Sequence, residues 1–282
     1  FYGAPWFVVP PLWALMSLSG FGLYQIGHDC GHGSVFTNRK ANHILGQIAF
    51  LPCIHPMSQW IYGHNGLHQR FTSCLKRDLA FHPRSPERYL RMSTPEKLAH
   101  RLFWSAAGAG PYYLVKMWMQ GLILNPAPLT RARRDIVFTI LAGTGVCSGF
   151  LFLKWTHTFS AWAVASTFVL CFAVPFFLLN VIMGATVYLH HIHPDILWKS
   201  ESSWDSEYGQ VRSTTNYVAP AWLNFFAHNI FLHVPHHVHP GIPFYNLPAA
   251  FLHLKSRGLT QERGSLWRDY VESTRQCKLF DS

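Results

Sequence analysis

Three stretches of this 282-residue sequence, 5–26, 136–155 and 161–189, are apolar over lengths that match a bilayer, since a spanning helix needs about 20 such residues. A chain with three such segments is bound to place helices in lipid, where every backbone polar group must be satisfied within the segment. A fourth stretch, 42–59, contains Gln47, Pro52, His55 and Pro56 and is doubtful as a span. Only 13% of the residues are charged, about half the share in an average soluble protein. The segments 5–26, 136–155 and 161–189 are therefore expected to cross the membrane. No repeat or Gly/Ser-rich linker divides the chain, so a single domain over 1–282 is expected. The six cysteines include no CxxC pair, and they read as small buried hydrophobes.

Lys and Arg accumulate on the cytoplasmic side of bilayers. Of the 23, 13 fall between Arg39 and Arg133 and 8 from Lys199 onward, with none in the turn 156–160. The segments 136–155 and 161–189 then form a hairpin that leaves the cytoplasm and returns. The latter exceeds what a bilayer requires, so its end would project into the cytoplasm, and Pro175 is a candidate kink. The net charge of +10 follows this membrane pattern, and the absence of a basic stripe interleaved with aromatics argues against nucleic-acid binding.

The chain has 18 histidines, and they are grouped. His28 and His32 (HDCGH), His64 and His68 (HNGLH), and His233, His236 and His237 (HVPHH) have spacings that face one side of a helix, although Pro235 leaves the third set at a helix start or on a turn. His190, His191 and His193 (LHHIHP) follow the last span. Neutral imidazole is a common metal ligand, and these sets supply more nitrogens than one ion uses, so two metals are implied. All sets must meet on one side of the membrane. The stretch 42–59 separates the first set from the second, so it is expected to be re-entrant or interfacial. The same parity puts Phe1 outside the cytoplasm, and a further span is expected before it.

The motifs HDCGHGSVF (28–36), WIYGHNGLHQRFT (60–72), KRDLAFHP (76–83), VYLHHIHPD (187–195) and HNIFLHVPHHVHPGIPFYNLPAA (228–250) resemble the membrane fatty acid desaturase family, especially its omega-6 and omega-3 acyl-lipid branch. The likeness covers nearly the whole chain. It implies an all-α, multi-pass transmembrane protein with a cytoplasmic helical cap holding a di-iron site. The implied ligands are His28, His32, His64, His68, His233, His236 and His237, with His191 favoured as the eighth and His190 and His193 as second choices. The family's second box usually ends in two adjacent histidines, and here the last is Gln69. Its amide is expected to ligate weakly, to hold a water, or to leave a position open. Asp29, Asn65 and Asp195 are expected to orient imidazoles.

Removing hydrogen from an unactivated methylene requires a strong oxidant, which two iron ions and O2 supply and redox-inert zinc does not. The implied reaction takes one hydrogen from each of two neighbouring carbons of a fatty acyl chain, presented as a free acid, lipid or thioester among membrane lipid. An apolar tunnel would fix the position, with Trp60, Trp104, Trp118 and Trp222 as candidate lining. No dinucleotide or haem-attachment motif is present, so electrons are expected from a separate ferredoxin or b-type cytochrome, steered by the basic face. Hydroxylation, acetylenation and decarboxylation to a terminal alkene are the alternative outcomes at the same bond. A metal transporter or haem carrier would hold its histidines near mid-span, unlike these, and no HExxH suggests a zinc hydrolase. Accessibility labelling of single cysteines is expected to place positions 40 and 70 on the same side of the membrane; opposite sides would contradict the parity argument.

Overall fold

The computed structural model describes residues 5–280. Phe1, whose side of the membrane the parity argument sets, lies outside the described residues. The chain is mostly helical. Helix α1 (Val9–His32) follows a short 3₁₀ turn, and the two together run from Trp6 to His32. Prolines at 10 and 11 suit its first turn, where backbone N–H groups have no partner anyway. Gly33 ends it in the left-handed conformation (φ 72°), a position that glycine takes at no steric cost. The helix thus continues past the expected 26 and carries both histidines of the first box.

Two short helices follow, α2 (Arg39–Phe50) and α3 (Met57–Gly63), joined by a 3₁₀ turn over Leu51–Cys53 and a left-handed residue at Ile54. Twelve residues of α2 rise about 18 Å, well short of a hydrocarbon layer of about 30 Å. Its N-terminus is capped by the Asn38 side chain, which accepts from the N–H groups of Lys40 and Ala41, and it packs back on α1. Next come α4 (Pro86–Leu90), α5 (Thr94–Phe103) and α6 (Ala109–Tyr112), then a π-helical segment, Tyr113–Leu124.

The second long helix is α7 (Thr130–Thr158). The third, Ala161–His191, consists of α8 (Ala161–Phe168), a π turn over Val169–Ala173, and α9 (Val174–His191). Pro175 has no N–H to close the wide turn onto the Leu170 carbonyl, which instead accepts from the indole N–H of Trp13 on α1, 2.8 Å away. In lipid a carbonyl released by proline needs such a partner. The irregularity expected at Pro175 is thus a π turn pinned to α1. Gly184 in α9 sits against the backbone of Ala109 and Gly110, where a Cβ would collide; the small residues let α6 and α9 cross closely.

The remaining chain forms α10 (Ala221–Ala227), α11 (His233–Val238), α12 (Leu247–Ser256) and α13 (Leu266–Gln276), with a two-residue parallel pairing of β1 (Asn216–Tyr217) and β2 (Glu262–Arg263). Asn216 Oδ1 accepts from Val234 N–H (2.9 Å), supplying the cap that Leu232 cannot and fixing the start of α11. The core next to the histidines is aromatic: Phe81 stacks on Tyr112 (4.3 Å) and meets Tyr188 edge-on (5.0 Å), with Trp104 beside them.

One buried carboxylate ties the second box to a long helix. Asp135 of α7 accepts from Ser58 N–H at 2.9 Å and lies 3.4 Å from the Gln47 amide nitrogen. Asp135→Ala would leave a buried N–H unpartnered, a loss of about 1–3 kcal/mol; thermal unfolding in detergent is expected to show a lowered midpoint, and an unchanged one would mean that the contact contributes nothing.

Candidate metal centre

Four parts of the chain deliver the histidines. Helix α1 supplies His28 and His32, the segment just after α3 supplies His64 and His68, α9 supplies His190 and His191, and α11 supplies His233, His236 and His237; a loop, 69–82, closes over the second pair. The sequence spacing suggested an α-helical turn for His64 and His68. The structure corrects this: His64–His68 is a π turn, with Gln69 N–H donating to His64 O at 2.7 Å. The two rings remain neighbours, with centroids 5.3 Å apart, yet they serve different groups.

Potential ligand nitrogens of His28, His32, His64 and His236 lie within 4.8 Å of one another, and so do those of His68, His191 and His237. His233 joins the second set, its Nε2 being 3.1 Å from the Nε2 atoms of both His191 and His237. Adjacent ligands about 2.1 Å from one ion would be about 3 Å apart. The first-box pair stays together, whereas the second and third boxes are each divided between the two groups.

The donor set suits a metal. The Nε2 atoms of His32 and His236 are buried without a hydrogen-bond partner, a costly condition that a shared cation relieves. Burial, reinforced by neighbouring imidazoles, holds His64, His233, His236 and His237 well below the ordinary histidine pKa. They are therefore neutral at physiological pH, the form that binds metal.

Polar groups behind the imidazoles set their tautomers. His28 Nδ1 is 3.1 Å from Asp29 Oδ1, and Asp29 Oδ2 also accepts from Phe244 N–H at 2.7 Å. His64 Nδ1 is 3.2 Å from Asn65 Oδ1. His68 Nδ1 donates to Asp78 Oδ1 (2.8 Å), and that carboxylate is fixed by the N–H groups of Ser73 and Ala80. Thr72 gives its hydroxyl proton to His68 O (2.9 Å) and so accepts from His237 Nδ1–H, 3.1 Å away. In each case Nε2 is left for an ion. Asp78 and Thr72 were missed in the sequence; the available signal was that Asp78 is the single carboxylate between Asp29 and Glu87.

Other candidates lie elsewhere. Helix α9 ends at His191 and Ile192 is extended, so the chain turns outward: His193 faces the exposed Asp195 (3.4 Å), and Asp195 pairs with Arg263 (2.8 Å). Asp195 therefore orients no histidine of either group. His190 stacks on His233 at 4.0 Å without joining a group. Gln69 points its amide nitrogen at the carbonyl of His237 (3.2 Å) and leaves Oε1 buried and unpaired, so this side chain bridges the second and third boxes.

A cavity of about 190 Å³ opens beside the histidines. His28, His64, His68, His190, His191 and His233 line it together with apolar and aromatic residues that include Phe21, Tyr24, Trp60, Tyr113, Met117, Leu122, Met183 and Ile230. Exposed Lys116 is also among the lining residues, with its ammonium on Gln120 Oε1 (3.2 Å). Of the tryptophans expected there, Trp60 lines the cavity; Trp104 belongs to the aromatic core, Trp118 donates to Ile54 O (2.9 Å), and Trp222 is exposed.

Three membrane-length helices and two polyhistidine groups beside a largely apolar cavity define a helical protein with the makings of a metal site. The chain belongs to the fatty acid desaturase family, whose sequence model matches residues 4–268, and it is an oxidoreductase. It is 29% identical to the sn-1 oleoyl-lipid 12-desaturase of Picosynechococcus sp. over 99% of this chain and 79% of that protein. It is 30% identical to the enzyme of the same name from Arthrospira platensis, over 86% and 67%. The omega-6 fatty acid desaturase, chloroplastic, of Brassica napus is 28% identical over 88% of this chain and 54% of its own length.

Asp78→Asn is expected to weaken metal binding at the His68 group by about 10–100-fold while sparing the His28 group. Metal analysis after dialysis would then fall from two ions per chain to one; two retained ions would show that Asp78 does not support the site.

Proposed function

We propose that this chain desaturates a fatty acyl chain at a di-iron centre, with His28, His32, His64 and His236 holding one iron and His68, His191, His233 and His237 the other. The observation that carries the reading is that both histidine groups line one largely apolar cavity. When bound, an iron pair supplies the oxidising power, from O2 and two electrons, that an unactivated C–H bond demands. The chain's own residues do the rest. Asp29, Asn65, Asp78 and Thr72 hold the imidazoles, the apolar walls exclude water and align the methylenes, and Lys116 stands ready for an anionic end of the substrate.

In this reading the chain is a single domain, 1–282. The long helices cross the membrane, 42–59 lies in the interface or re-enters it, and the histidine site faces the cytoplasm, as the Lys and Arg distribution favours. A separate ferredoxin or b-type cytochrome delivers the electrons to the basic face.

One observation favours a second outcome, hydroxylation. Gln25 and Thr186 line the cavity, one helical turn before His28 and His190 respectively, are buried, and have no side-chain hydrogen-bond partner among the described residues. A hydroxyl on the acyl chain would satisfy them where a methylene would not.

Metal analysis of purified protein, with mass spectrometry of acyl chains from cells expressing wild type or His236→Ala, tests the proposal. Two irons per chain and a product lighter by two hydrogens, absent from the variant, are expected. A product heavier by one oxygen would shift the assignment to hydroxylation, and protein without iron would overturn it.

A further inference from the structure

A buried chain of aromatic groups leads away from the first histidine group. Trp60 stacks on His64, 4.3 Å between centroids and 12° between planes, and lies 5.3 Å from His28. Its indole N–H donates to Tyr24 OH at 2.9 Å. Tyr24 lies edge-on to His55 with ring centroids 5.2 Å apart, and Tyr113 OH is 3.0 Å from His55 Nε2. His55 Nδ1 is 2.6 Å from Cys53 O.

The direction of these bonds is fixed by chemistry. A carbonyl only accepts, so His55 Nδ1 carries the proton and Nε2 is the acceptor for Tyr113 O–H. An indole only donates, so Tyr24 accepts from Trp60. The Trp60 N–H thus points to Tyr24 and the Tyr113 O–H to His55. All four side chains are buried, and His55 ligates nothing. Burial pushes its pKa down to about 4, so the ring is neutral before any oxidation. An oxidised phenol is a far stronger acid than an imidazolium of that pKa.

We propose that Trp60, Tyr24, Tyr113 and His55 form an oxidation relay that discharges the centre when O2 has been activated and no substrate C–H bond is within reach. The inference rests on the iron reading above. One electron passes from Tyr113 through Tyr24 and Trp60 to the O2-derived oxidant of the iron pair. The Tyr113 hydroxyl proton moves to His55 Nε2. The products are a neutral tyrosyl radical, an imidazolium still bonded to Cys53 O, and a centre reduced by one electron. The same external electron donor that serves desaturation returns the electron, and His55 returns the proton.

Freeze-quench electron paramagnetic resonance tests this on the full chain, loaded with iron, reduced under nitrogen and mixed with O2 without fatty acyl substrate. A tyrosyl signal is expected, narrowed when the protein carries ring-deuterated tyrosine, lost in Tyr113→Phe and suppressed by prior addition of substrate. His55→Gln, which cannot take the proton, is expected to slow its appearance. Bound iron that reacts with O2 but gives no tyrosyl radical, or one that survives in Tyr113→Phe, would overturn the relay and leave the iron reading standing. Failure to bind iron would remove both.

Discussion

The fold is governed by the requirement that eight imidazoles, drawn from distant parts of the chain, share one buried volume. An unpaired buried nitrogen costs free energy comparable to a lost hydrogen bond, so each ring has one nitrogen tied or turned to the common space. Asp29, Asn65, Asp78 and Thr72 do the tying. Helix lengths, the Asn216 cap on α11 and the pinning of α9 to α1 serve the same end, because a shift of one residue in any of these elements would rotate a ring out of register.

Much of this was legible in the sequence. The three long apolar runs gave the long helices, because lipid leaves so few alternatives for a backbone. The histidine sets stood out because their spacing repeats a helical face. What could not be read was their partition: His64 and His68 are four residues apart yet belong to different groups, and so are the adjacent His236 and His237. Partition depends on how helices cross. Gln69 posed a question about coordination, and its amide nitrogen turns to the backbone of α11 instead. Asp78 and Thr72 escaped notice because their roles arise from a loop that folds back over the second box.

π-helical turns account for another part of the gap. His64–His68, Tyr113–Leu124, Val169–Ala173 and Tyr208–Arg212 all depart from α geometry. A face read at the α period drifts across such a segment, and Tyr113, Met117 and Leu122, which share the cavity, do not share an α-helical stripe. π turns gather at functional sites, and two of these four, His64–His68 and Tyr113–Leu124, contain residues that line the cavity or belong to a histidine group.

The third long helix, with 31 residues, would measure about 46 Å against a hydrocarbon layer of about 30 Å. On the proposed topology, His190 and His191 at its end stand well above the lipid. An acyl tail that reacts there has to climb out of the bilayer, and each methylene exposed to water on the way would cost about 0.8 kcal/mol. Phe21, Leu122, Met183 and Ile230 make the cavity an annex of the lipid phase, so the ascent is close to neutral. On the proposed function, the depth of that annex would act as a ruler, the reacting carbon being set by how far the chain can rise before it meets the histidines.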